Sequence, residues 1–172
     1  MAFRQFRSMA LIAVVVPAAA LVLLPASAVQ ADIGDLSCAM TLDSTFKPAL
    51  KAGGKAAIST QGTLTNCASG NGKHAVRTSG KLEASGTATS APVKEAPCGL
   101  LVSANQRGKV YWSDGSTTAF DWGTDGATPN GKVADGQLLR DTLNIVVKDG
   151  KANAGCESGL ESLTTWGEVS FG

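Results

Sequence analysis

Apolar and polar residues alternate with a period of two along most of this chain, and the three-to-four spacing of an amphipathic helix is nearly absent. Leu36, Cys38, Met40 and Leu42 alternate with Ser37, Ala39 and Thr41, which predicts a half-buried strand. Residues 46–54 contain Pro48 and the pair Gly53-Gly54, and read as a loop with at most one helical turn over 48–51. Ile58, Thr60, Gly62 and Leu64 mark a second strand ending at Asn66-Cys67, followed by turn formers over 68–73. From His74 to Thr89 the alternation is loose, anchored by Val76, Leu82 and Ala84, and predicts an exposed or edge strand. Cys98–Val102 is a short apolar strand after Pro92 and Pro97. Strands are also predicted over 132–136, 137–147 and 164–171, with Asp149-Gly150 turning the chain toward Cys156. In the last strand Thr165, Val169 and Phe171 share one side and Trp166 takes the other.

The sharpest local signal is Lys109–Trp122, where Asp114-Gly115 separates two strand-like runs. A two-residue turn would put Val110 and Trp112 on the face opposite Phe120 and Trp122. A three-residue loop, with Gly115 in the left-handed region as a glycine bulge, pairs Trp112 with Ser116. Val110, Trp112, Thr118, Phe120 and Trp122 then share one face, and Lys109, Tyr111, Thr117, Ala119 and Asp121 share the other. Only the bulged register separates apolar from polar side chains, so it is the one expected.

Eight or nine short strands with turns every eight to fifteen residues predict an all-β fold with antiparallel pairing, either a β-sandwich or a closed barrel. The long connections at 43–55 and 149–163 suit crossings between two sheets, which favours the sandwich.

The start of the chain changes the setting. Arg4 and Arg7 precede an apolar run from Met9 to Leu24, and Pro25-Ala26-Ser27-Ala28 follows as a small-residue cleavage site. Residues 1–28 read as a signal peptide cut after Ala28, or after Ala31, leaving 29–172 as one secreted β-domain with no membrane span. The apolar run is sixteen residues long and broken by Pro17, short of the roughly 20 needed to cross a bilayer. The signal carries two basic residues and no acids. The mature chain thus holds thirteen basic and fourteen acidic residues, a net charge of −1. Lysines and arginines do not cluster, which argues against a nucleic-acid partner.

Export implies an oxidising compartment, so the four cysteines are expected in disulfides. Of the three pairings, the easiest links Cys38, at the head of the first strand, to Cys67, at the close of the second; Cys98 then pairs with Cys156. Large aliphatics are sparse, and each bond would offset a thin core by roughly 2–4 kcal/mol. The segments Gly62–Cys67, Gly108–Gly115, Gly131–Gly136 and Cys156–Leu160 resemble those of small exported actinobacterial proteins, β-rich with four similarly spaced cysteines and mostly of undetermined function. The resemblance spans Cys38–Phe171 and implies an extracellular β-domain, without assigning any catalytic or binding residue.

Candidate chemistry is thin. His74 is the single histidine, on a turn-rich loop expected to be solvated, and no nucleophile elbow accompanies it. The cysteine spacings match no zinc site, and no cofactor is expected. Asp114, Asp121, Asp125 and Asp135, or Glu157, Glu161 and Glu168, could supply the carboxylate pair of a small glycan-active hydrolase. Asp125, Asn130 and Asp135 could offer oxygens to calcium, without the regular loop spacing. Tyr111 and Trp166 fall on faces away from the expected core, where flat rings can stack on sugars or pack against a partner. The segment 91–98, stiffened by two prolines and anchored by Cys98, could serve as the reactive loop of a protease inhibitor with Lys94 as its specificity residue. The leading expectation is a non-catalytic extracellular binding or structural module that engages a cell-envelope polymer or a protein partner.

Overall fold

The computed structural model describes residues 35–93, 96–125 and 129–172. The signal segment and Lys94 lie outside the described residues. Eight strands follow one another: β1 (Leu36–Leu50), β2 (Lys55–Ala68), β3 (Gly80–Val93), β4 (Ala96–Trp112), β5 (Thr117–Asp125), β6 (Asn130–Gly136), β7 (Thr142–Gly155) and β8 (Gly159–Phe171). Each pairs antiparallel with the next, and β8 returns to pair with β1, from Leu36↔Phe171 to Leu50↔Leu160. The result is a closed up-and-down barrel.

The all-β class and both disulfides are as expected; the preference for a sandwich is overturned. The two segments taken for sheet crossings are themselves strands. β1 continues through Pro48 to Leu50, burying Phe46 and Leu50, and only residues 51–54 turn the chain into β2. Likewise β7 runs through Asp149-Gly150, absorbing it in a register shift between Val147 and Asp149, and β7 and β8 stay paired up to Gly155↔Gly159. With neither segment left as a crossing between sheets, consecutive antiparallel strands close on themselves. β3 is not an edge either: it starts at Gly80 and is paired on both sides, while Val76 is exposed on the preceding loop. Residues 137–141 form a turn, and β7 begins only at Thr142.

The bulged β4–β5 hairpin forms as expected. Val110 faces Thr118, the Trp112 N–H donates to the Ser116 carbonyl at 2.9 Å, and Gly115 holds φ +82°. Val110, Trp112, Thr118 and Phe120 are all buried.

Inward-facing side chains fill the barrel in two apolar groups. One holds Leu36, Met40, Leu64, Val110, Trp112, Phe120, Ile145 and Phe171, with the Trp112 and Phe171 rings edge-to-face at 5.7 Å. The Trp112 indole N–H donates to Thr118 Oγ1 at 2.8 Å. The other holds Phe46, Leu50, Ile58, Ala88, Ala104 and Leu160. Between them lies a polar layer, where Thr60 donates to Gln106 Oε1 at 2.9 Å and Ser44 Oγ sits 2.8 Å from the Thr60 hydroxyl. Gly108 makes room for this filling: a Cβ there would lie 2.7 Å from the tip of the Phe120 ring. Apart from the polar layer the inward side chains are mainly apolar, and the outer face is mainly polar, with Leu101, Tyr111, Val146, Val147 and Trp166 exposed on it.

Strand lengths are unequal, and this shapes the outside. β5 and β6 have 9 and 7 residues, whereas β4 has 17 and β7 has 14. β4 pairs with β5 only from Ser103 onward, and β6 meets β7 at three positions. At this end the β3–β4 and β7–β8 hairpins run past β5–β6, and the Cys98–Cys156 disulfide joins them. Cys38–Cys67 lies near the opposite end, with Cys38 buried in the core.

Candidate functional site: a polar groove across β3–β7

Because inward positions on β3–β7 are taken by core residues, the alternate positions present an outer face. Strand register aligns those positions into rows. Thr87, Asn105, Gly123, Asn130 and Asn144 form one row across five strands. Ser85, Arg107, Asp121, Lys132 and Thr142 form the next. Two depressions of about 1250 Å³ and 680 Å³ lie over this face and share Ser85, Arg107 and Asp121, so they form one continuous groove.

Gly123 lowers its floor. A Cβ there would stand 2.7 Å from Asn105 Oδ1 and 2.9 Å from the Ala104 carbonyl, so Asn105 can extend across the gap only because the side chain is missing. Arg107 Nε donates to Asp121 Oδ1 at 2.8 Å, and both groups are well exposed. An exposed pair of this kind adds about 0–1 kcal/mol to stability, and its main effect is to fix the guanidinium plane along the groove. Lys132 stands opposite Asp121 on β6, so charge alternates in sign across three strands. Trp122 contributes to the wall, with its indole N–H buried and without a hydrogen-bond partner among the described residues.

Of the residues singled out in the sequence, Tyr111 lies at one end of this groove and is 46 % exposed. Trp166 is also exposed, as expected, but it sits on β8 beside Thr41 and Asp149. Three strands lie between it and Tyr111 in either direction around the ring, so the two aromatics do not form one surface. The 91–98 segment is mostly paired strand, with Pro92↔Leu100 and Val93↔Ala96 in register, and Lys94 lies outside the described residues. The asparagine row was not anticipated. Its members span residues 105 to 144, and only the register brings them side by side.

The other candidates disperse. Asp121 pairs with Arg107, Glu168 with Lys148, and Glu161 accepts from Asn153. Asp125 and Asn130 line the groove, but Asp135 lies five residues along β6, roughly 16 Å away at strand rise. Among the described residues, no three His, Cys, Asp or Glu side chains are grouped to hold a metal ion.

His74 is not solvated as expected. It belongs to a polar knot at the end of the barrel where β1 begins, built around the buried Arg77. Arg77 Nη1 lies 2.5 Å from His74 Nδ1, which must accept because a guanidinium only donates. Nη2 donates to Gln137 Oε1 at 2.8 Å, and Nε lies 3.2 Å from Ser116 Oγ and 3.3 Å from Asp114 Oδ2. His74 Nε2 faces Asp35 at 4.0 Å, so both ring nitrogens are turned toward protein groups. The Ser116 hydroxyl and backbone N–H, with Arg77 beyond them, hold the Asp114 carboxyl below the usual range. Burial, then the nearby Asp35, pushes Asp141 up; its Oδ2 is enclosed without a hydrogen-bond partner among the described residues.

Compared with protein-family models, curated proteins and solved structures, the chain matches none.

Proposed function

We propose that this protein is a non-catalytic extracellular binding module that holds a cell-envelope polymer in the groove across β3–β7. The observation that carries this reading is the pair of aligned polar rows beneath one continuous depression. Amide and hydroxyl side chains held on a rigid sheet lose little freedom on binding, which lowers the ordering cost of recognition. Two disulfides suit a chain working in an oxidising setting, in keeping with its export-type leader and its resemblance to small exported actinobacterial proteins. The Arg107 guanidinium holds the Asp121 carboxylate in place, so both can orient a ligand in the groove.

The test is co-sedimentation of the purified protein with insoluble wall polymer. Asn105→Ala with Asn144→Ala should weaken binding at least tenfold, because two ligand hydrogen bonds near 1 kcal/mol each are lost. Both residues are exposed, so the fold is retained. Trp166→Ala should bind like the parent protein. Undiminished binding by the double variant, or steady release of soluble sugar from the polymer, would overturn the reading.

A further inference from the structure

We infer that the groove's ligand is an uncharged polysaccharide lying across the strands, one sugar per strand from β3 to β7. This rests on the groove being the binding site, and it specifies the ligand class and direction.

Three observations carry it. Neighbouring strands stand about 4.8 Å apart, so the rows offer, except at Gly123, one polar position per 4.8 Å, close to the length of a pyranose ring in an extended chain. A chain running along the strands would instead meet outward residues of changing size, from Ser103 through Asn105 and Arg107 to Lys109 on β4. The row positions also have suitable chemistry. Asparagine amides carry a donor and an acceptor at fixed separation, which matches the vicinal hydroxyls of a sugar, and threonine and serine hydroxyls each donate and accept through one oxygen. Gly123 lets the Asn105 amide lie across the centre of the row, and Tyr111 supplies a flat apolar surface at one end.

Charge then separates the polymer classes. Along the groove Arg107, Lys109 and Lys132 are matched by Glu83, Asp121 and Asp125, three against three. Such a surface has no net field to draw in a phosphate-bearing polymer, whose binding depends on several unopposed cations. An extended peptide is disfavoured for another reason. Peptides dock on sheets chiefly through a free strand edge. In this region β4 and β5 are hydrogen-bonded on both sides, so their backbones are occupied.

Titration calorimetry of the purified protein with neutral glucan, xylan, mannan and chitin oligomers, from disaccharide to octasaccharide, decides the matter. For at least one series, binding should tighten about tenfold between disaccharide and pentasaccharide, then level off. Raising the salt should leave it unchanged, and Asn130→Ala should weaken it severalfold. Tight binding of an anionic wall polymer that collapses with salt, and is lost in Asn105→Ala, would overturn the inference while the groove remained the site. A protein captured in the groove would do the same. If no polymer bound, or binding ignored every groove substitution, both readings would fall.

Discussion

The two ends of the barrel are closed by different chemistry. Where β1 begins, Arg77 ties the loop after β2 to the β4–β5 and β6–β7 turns, above a core containing Trp112, Phe120 and Phe171. There the disulfide is Cys38–Cys67, whose Cys38 is buried. At the far end β5 and β6 stop short, the core is smaller, and two exposed cysteines join hairpins that backbone pairing does not connect. Where all strands reach the end, the disulfide is added to packing and a polar knot and joins two strands, β1 and β2, that are already paired. Where two strands stop short, the disulfide spans hairpins that do not pair with each other. The groove lies on the wall between these ends, on strands that neither closure needs to move.

The largest effects should come from the cores. Phe120→Ala should cost about 3–5 kcal/mol in urea unfolding, and Phe46→Ala at the far end should sit at the lower edge of that range. Equal costs would mean that the two cores are equally well packed.

Disulfide variants separate the ends next. Cys98→Ser with Cys156→Ser should cost about 2–4 kcal/mol. It should also raise amide exchange at residues 100–102 and 152–155 while residues 110–112 stay protected. Under limiting thiol the exposed Cys98–Cys156 bond should open before Cys38–Cys67, because access controls the rate. Mass mapping of alkylated cysteines reads that order directly.

Arg77→Met should cost about 2 kcal/mol, less than a fully buried ion pair, because its partner Asp114 is exposed and already held by Ser116. The loss should appear as faster exchange in the 113–116 and 137–141 turns.

The smallest effects concern pH. Asp141 has its folded pKa raised above 3.8, so the native state holds its proton longer than the unfolded chain does. Stability therefore falls as pH rises from about 3.8 through that raised value, and Asp141→Asn should be more stable than the parent at neutral pH. Asp114 is shifted the other way. Its contribution is present above 3.8 and is lost as pH falls through the lowered value, so Asp114→Asn should reduce stability at neutral pH and flatten the acid limb. Thermal melts of the two variants from acid to neutral pH should move in opposite senses.

Legibility in the sequence follows the range of the interaction. The β4–β5 register could be derived because a glycine turn and five alternating side chains fix it locally. The continuation of β1 through Pro48 could not, because proline and the Gly53-Gly54 pair mark a turn, while burial of Phe46 and Leu50 depends on β8 folding back beside them. Closure between β8 and β1 pairs residues more than a hundred positions apart, a contact that alternation does not encode. Arg77 gave no sign of burial, since its partners come from three turns. In the groove Tyr111 was legible from parity alone. Asn105 and Asn144 carry no mark in the sequence, and Asn130 stands out only beside Asp125 as an oxygen donor, until register places all three in line.

The most direct measurement is an amide-resolved NMR titration of the isotopically labelled protein with the neutral oligosaccharide that binds tightest. Shifts should concentrate at Asn105, Arg107, Asp121, Gly123, Lys132 and Asn144, with Thr41 and Trp166 on the opposite wall unmoved. Perturbations centred on β8 and β1, with the β3–β7 face silent, would contradict the account.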